Sequence, residues 1–177
     1  MKNKIMNMKN KGVYLLLALL CLLTACNNTD DVQKIFTGKT WKLSVIKYAG
    51  SDKECKDYWV DGQGKFNQSA FEISNKWLME AGNFTLTFTG ATIDDEISGK
   101  ASVKAIAVNI NDASWRANAK SNEFAIGIKN TADKDVLATA FLKGLAKATS
   151  YSGNEHNLYL YFTEGQQSKY MVFHINR

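Results

Sequence analysis

Proline is absent from the 177 residues, histidine occurs twice and cysteine three times. Without proline the chain has no proline-rich linker, no collagen-like segment and no cis-proline turn. Its strands must therefore break at Gly, Asn and Asp. His156 and His174 form no paired motif, and a zinc site needs three or four convergent ligands. The acidic groups Asp94-Asp95-Glu96 and Asp133-Lys134-Asp135 lack the alternating oxygens, central glycine and late glutamate of a calcium loop. Gly62-Gln63-Gly64-Lys65 is too short for a phosphate loop and reads as a turn. No Gly-x-Ser-x-Gly elbow is present either. Neither a metal nor a cofactor is expected, and no catalytic residue is assigned.

An excess of one charge sign is also missing once the chain is divided. The formal net charge is +5, but Lys2, Lys4, Lys9 and Lys11 all lie in the first 25 residues, which hold no acid. Setting those four aside leaves 18 basic against 17 acidic residues. No basic surface on a folded part is implied, so nucleic acid is not an expected partner.

What is present begins with that leader. The basic stretch precedes an apolar run from Val13 to Leu23, 11 residues long, against about 20 for a membrane-spanning helix. A charged start, a short apolar run and small residues before a cut describe an export signal. The ending Leu23-Thr24-Ala25-Cys26 resembles the lipobox of bacterial lipoproteins. That resemblance implies cleavage after residue 25, acylation of Cys26, and stable anchoring, since two or more chains hold where one is marginal. Asn27 in second place leans towards the outer membrane. Asn28-Thr29-Asp30-Asp31 is similar to the acidic signal that carries some lipoproteins of Bacteroides-type bacteria to the cell surface. Residues 26–34 are expected to form a polar tether, and 35–177 a single domain. With Cys21 removed and Cys26 lipidated, Cys55 has no partner for an intramolecular disulfide; charged neighbours and no obvious base make it an incidental or intermolecular thiol rather than a reactive one.

Two-residue alternation dominates the rest, the mark of half-buried strands. It appears in Trp41-Leu43-Val45, Phe84-Leu86-Phe88, Phe124-Ile126-Ile128, Leu158-Leu160-Phe162 and from Lys169 to Ile175. The stretch Ala101–Ile110 reads as one strand that becomes apolar on both faces. From about 133 to 149 the period changes: Leu137, Phe141, Leu145 and Ala148 form a helix stripe, with Thr131 or Asp133 as cap. Gln68–Ala81 fits a short helix or a buried strand. The expected fold class is α+β, mainly antiparallel β with one late helix.

From Leu86 onward the order of elements resembles the META domain of heat-inducible outer-membrane lipoproteins of the HslJ type. The residues that carry it are Gly38-Lys39-Thr40-Trp41, Gly99-Lys100-Ala101-Ser102-Val103, Thr131 followed by Phe141-Leu142-Lys143-Gly144-Leu145, Tyr151 with Gly153, Leu158-Tyr159-Leu160, and Met171-Val172-Phe173. The family's cysteines are missing, and the segment at about 50–83 is extra. The alternative is a lipocalin-like barrel, which can start with a Gly-x-Trp strand, matched here imperfectly by Gly38-Lys39-Thr40-Trp41.

The functional expectation is a lipid-anchored cell-envelope protein at the outer membrane, facing periplasm or exterior. Its expected role is a non-enzymatic accessory, stress-related or ligand-binding module. The META resemblance implies envelope association but no reaction. Tyr58, Trp59, Tyr159 and Tyr161 are the candidate ligand-binding surface, because an aromatic with a polar tip suits a wet interface. The expected partners are the membrane through Cys26 and an envelope glycan, peptide or protein. A small envelope hydrolase and a lipocalin-like carrier of an apolar ligand are the alternatives.

Overall fold

The structure, a computed structural model, describes residues 28–129 and 131–176. The leader and Cys26 lie outside the described residues. Among the described residues no helix is long and apolar enough to cross a membrane.

Eight antiparallel strands form one sheet: β1 Thr40–Tyr48, β2 Thr85–Ile93, β3 Glu96–Lys104, β4 Asn109–Asn118, β5 Phe124–Ile126, β6 Ala148–Gly153, β7 Asn157–Glu164 and β8 Gln167–Ile175. Their order is β5-β4-β3-β2-β1-β8-β7-β6. The sheet consists of two meanders, β2 to β5 and β6 to β8 with β1 added. The halves join at β1 and β2 over only three residue pairs, Thr40–Thr87 to Lys42–Thr85. They also touch at the outer ends, where Glu123 bridges Ser150 and the Tyr151 N–H donates to the Asn122 carbonyl at 3.0 Å. The sheet thus curls until its edges meet over a short seam.

One face of this curl is apolar because the sequence alternates. Trp41, Leu43, Leu86, Phe88, Val103, Trp115, Leu158, Leu160, Met171 and Phe173 are all buried. A bulge between Leu43 and Val45 resets the alternation so that Ile46 still faces inward. Helix α1, Asn28–Phe36, sends Val32, Ile35 and Phe36 into the core. Phe36 lies within 5.6 Å of the rings of Phe88, Trp115, Phe124 and Tyr151, so it touches β2, β4, β5 and β6. Helix α3, Val136–Ala146, places Phe141 against Phe84 and Phe173. Gly144 lets it approach β7 and β8, since a Cβ there would meet the Phe162 ring at 3.1 Å. Helix α2, Gln68–Met79, and a 3₁₀ turn at Lys56–Trp59 pack beside α3.

The fold is therefore mainly antiparallel β within an α+β class, as expected, and the late helix sits inside the 133–149 window. Three features differ from expectation. Residues 28–36 are a helix rather than a tether, anchored by its three apolar residues. The stretch Ala101–Ile110 is two strands: the chain turns at residues 105–108, where the Asp133 carboxylate accepts the N–H groups of Ile106, Ala107 and Val108 at 3.2, 2.9 and 2.8 Å. Asp133 is thus a loop clip, and the cap of α3 is Asp135, which accepts from the N–H groups of Leu137 and Ala138. The ambiguous stretch after residue 68 is α2, capped by Asn67 accepting from the Ala70 N–H.

Candidate functional site

Strand parity settles where the candidate aromatics point. In β7 the buried residues are Leu158, Leu160 and Phe162, so Tyr159 and Tyr161 project from the opposite, outer face and stay partly exposed. Across the ladder Tyr161 pairs with Tyr170, and Tyr159 with Val172. Tyr170 lies 5.6 Å from the Tyr161 ring and 6.2 Å from the Tyr159 ring, in tilted geometry. Ser152 of β6 stands opposite Tyr159 and shares a 2.9 Å hydrogen bond with the Tyr161 hydroxyl. Lys47 of β1 stands opposite Tyr170. The result is a row of three tyrosines, rimmed by a serine and a lysine, on the face turned away from the helices. Rings with hydroxyl tips combine apolar area with hydrogen-bonding groups. Tyr170 escaped notice in the sequence, although it holds the outward parity within the Lys169–Ile175 alternation.

The other two candidates do not join this surface. Trp59 is a core residue, 3% exposed, and is withdrawn from the ligand-binding set. Its ring packs edge-on to Phe71. Its indole N–H donates to the Ser74 hydroxyl at 2.8 Å, and that hydroxyl donates to Asp135 at 2.8 Å. This chain ties the 3₁₀ turn to α2 and α3, satisfying each buried polar group along it. Aromatic residues in a polar stretch look exposed in sequence because Ser74 and Asp135 are distant along the chain.

Tyr58 lies at one end of the concave face, over a second cluster that sequence reading did not find. Lys169 occupies the inward parity of β8, with Met171 and Phe173, and its side chain is 2% exposed. Its ammonium donates to Asp57 at 2.9 Å and to Glu164 at 3.0 Å. Its Nζ sits 4.3 Å from the centre of the Tyr58 ring and 5.5 Å from that of Tyr48. The Tyr58 hydroxyl donates to the same Glu164 oxygen at 3.2 Å. Burial works against the charge on Lys169, but the bonds to Asp57 and Glu164 outweigh it and hold its pKa above the ordinary lysine value. Burial, reinforced by the Asp57 carboxylate, pushes the Tyr48 hydroxyl up to about 12. A charged residue at an inward position was the available signal, since such a group demands partners.

Cys55 is 1% exposed. Burial pushes its thiol up to about 12, with Lys169 only partly opposing. The nucleophilic thiolate is therefore scarce, consistent with an incidental thiol. His156 and His174 are exposed, as expected of turn and strand-end histidines. Asp61 accepts from the N–H groups of Gln63 and Lys65, so residues 61–65 are a side-chain-stabilised turn. Among the described residues no group of three His, Cys, Asp or Glu is arranged to hold a metal ion.

Against known proteins, the family described as a domain of unknown function, DUF4847, matches residues 27–175. A crystal structure of a DUF4847 family protein from Bacteroides vulgatus ATCC 8482 is similar, at 19% identity and a TM-score of 0.49. The match covers 81% of this chain and 96% of that one. No curated protein matches.

Proposed function

We propose that this chain, which belongs to the DUF4847 family, is a lipid-anchored envelope module that binds glycan through its outward tyrosines. The observation that carries the binding reading is the row of Tyr159, Tyr161 and Tyr170 on the sheet face away from the helices. Rings with hydroxyl tips, neighbours across the β7–β8 ladder, can stack on the apolar face of a sugar ring while Ser152 and Lys47 reach its hydroxyls. The anchoring reading rests on the basic leader, the short apolar run and the lipobox-like Leu23-Thr24-Ala25-Cys26. The META-like order of elements supports the same setting: an accessory of the envelope rather than an enzyme. A carrier of an apolar ligand is the weaker reading. The concave space it would use is filled by Phe36 from one helix and Phe141 from another, both fully buried.

Two experiments test this. Replacing Tyr159, Tyr161 and Tyr170 together with alanine should weaken binding to a panel of cell-envelope glycans about tenfold or more, as stacking on several rings is lost. The circular dichroism should stay unchanged. A wild-type protein that binds nothing on the panel, or a triple variant that binds equally well, sinks the glycan reading. Separately, Cys26→Ser should abolish labelling by an acyl donor and release the protein from membranes. Retention on the membrane without the label would remove the lipid anchor from the proposal.

A further inference from the structure

Lys169, Asp57 and Glu164 bring together an amine, a carboxyl and a second carboxylate with no other task assigned to them. We propose that Lys169 and Asp57 form an intramolecular isopeptide bond, with Glu164 as the proton relay.

The geometry places the reactants in contact. Lys169 Nζ is 2.9 Å from one Asp57 oxygen and 3.0 Å from Glu164 Oε2. The amine is held there by its burial and by two tyrosine rings, at 4.3 and 5.5 Å, so it reaches few other groups. Intramolecular reactants fixed this way react as though at very high concentration. Burial of the amine works against its charge, although the two carboxylates keep it protonated at rest. Tyr58 holds Glu164 in place through its hydroxyl. Asp57 is the exposed member, at 41%, and an open depression lined by Tyr48, Lys56, Asp57 and Val60 adjoins it. The product water has a way out.

The atoms balance without any co-reactant. One ammonium proton passes to the Asp57 carboxylate, giving a neutral amine and a carboxylic acid. The Nζ lone pair attacks Asp57 Cγ, and the C–N bond forms. Glu164 takes a second proton from nitrogen and delivers it to the Asp57 hydroxyl. The C–O bond then breaks and water leaves. Ammonium plus carboxylate becomes amide plus water, with nothing oxidised or reduced. Because the ionised pair is the resting state, the reaction is slow and happens once per molecule. The bond joins residues 112 apart in sequence, in a chain where Cys55 is the single free cysteine among the described residues.

Intact-mass measurement of the folded protein, referred to the mass calculated for whichever processed and acylated form is isolated, reads this directly. The expected result is the loss of one water, about 18 Da, from the condensation described. Tryptic digestion should then yield a branched species joining residues 57–65 to residues 148–177. Lys169→Arg keeps a cation against both carboxylates, and it should restore the full mass. Asp57→Asn should not form the amide by water loss, and Glu164→Gln should slow it at least tenfold. Full wild-type mass after prolonged incubation of the folded protein overturns the proposal and leaves an ion-paired staple. A water loss mapped to any other residue overturns it as well.

Discussion

Phe36→Ala is expected to destabilise the protein by about 3–5 kcal/mol, the range for truncating a buried phenylalanine. Four rings from four strands surround that side chain, which has no exposed surface. Two of them, Phe124 and Tyr151, come from β5 and β6, the edges that meet at one bridge and one Tyr151–Asn122 hydrogen bond. Removing the ring therefore leaves a cavity and also frees the seam. For a domain of this size the melting temperature should fall by about 6–20 °C. Val136→Ala, at a side chain that is partly exposed, serves as the control and should stay within about 1 kcal/mol. Chemical denaturation of both variants decides the matter. A loss below about 1 kcal/mol for Phe36→Ala would mean that α1 does not plug the sheet.

Gly99→Ala is expected to be as damaging for a different reason. Gly90 and Gly99 face each other across β2 and β3, and Trp115 stands opposite Gly99 on β4. A Cβ on Gly99 would lie 2.1 Å from the Thr89 carbonyl oxygen and 2.6 Å from the Gly90 Cα. These are backbone atoms, so no rotamer relieves the contact. The two glycines also clear the surface over which the Trp115 indole reaches to donate to the Thr89 carbonyl at 3.0 Å. A large ring covering bare backbone is how sheets protect such glycines. Overpacking typically costs about 1–3 kcal/mol, and a backbone collision belongs at or above the top of that range. Soluble yield and thermal melting of Gly99→Ala should show it, whereas Gly62→Ala, where no atom lies within 4 Å, should melt like the wild type.

Alternation made β1, β2, β7 and β8 legible, because one face of each carries mostly large apolar residues and the other mostly polar or hydroxyl-tipped ones. The stripe through Leu137, Phe141 and Leu145 did the same for α3. β4 stayed hidden: its inward residues Ala113, Trp115 and Ala117 include two small ones, Ser114 and Arg116 lie between, and Asn111 and Asp112 precede them. The turn at residues 105–108 contains no glycine and is apolar in sequence. Its cause is the carboxylate of Asp133, which a local reading cannot place. α1 was masked by its acidic start, since only Val32, Ile35 and Phe36 mark its buried side. At the candidate sites, parity alone located Tyr159 and Tyr161 correctly. It could not show that Trp59 is buried by partners 15 residues away and more, or that Lys169 meets Asp57.

The position of β1 has a kinetic consequence. It is the first strand made and sits in the middle of the sheet, and seven of its residues pair with β8, the last strand of the series. Its other neighbour, β2, offers only three pairs. A chain emerging from its N-terminal end therefore cannot complete the centre of its sheet until residues 167–175 have arrived. Such distant pairing raises contact order and slows folding. On the export reading proposed above, that delay is useful: the polypeptide stays threadable during translocation and zips shut only on the far side.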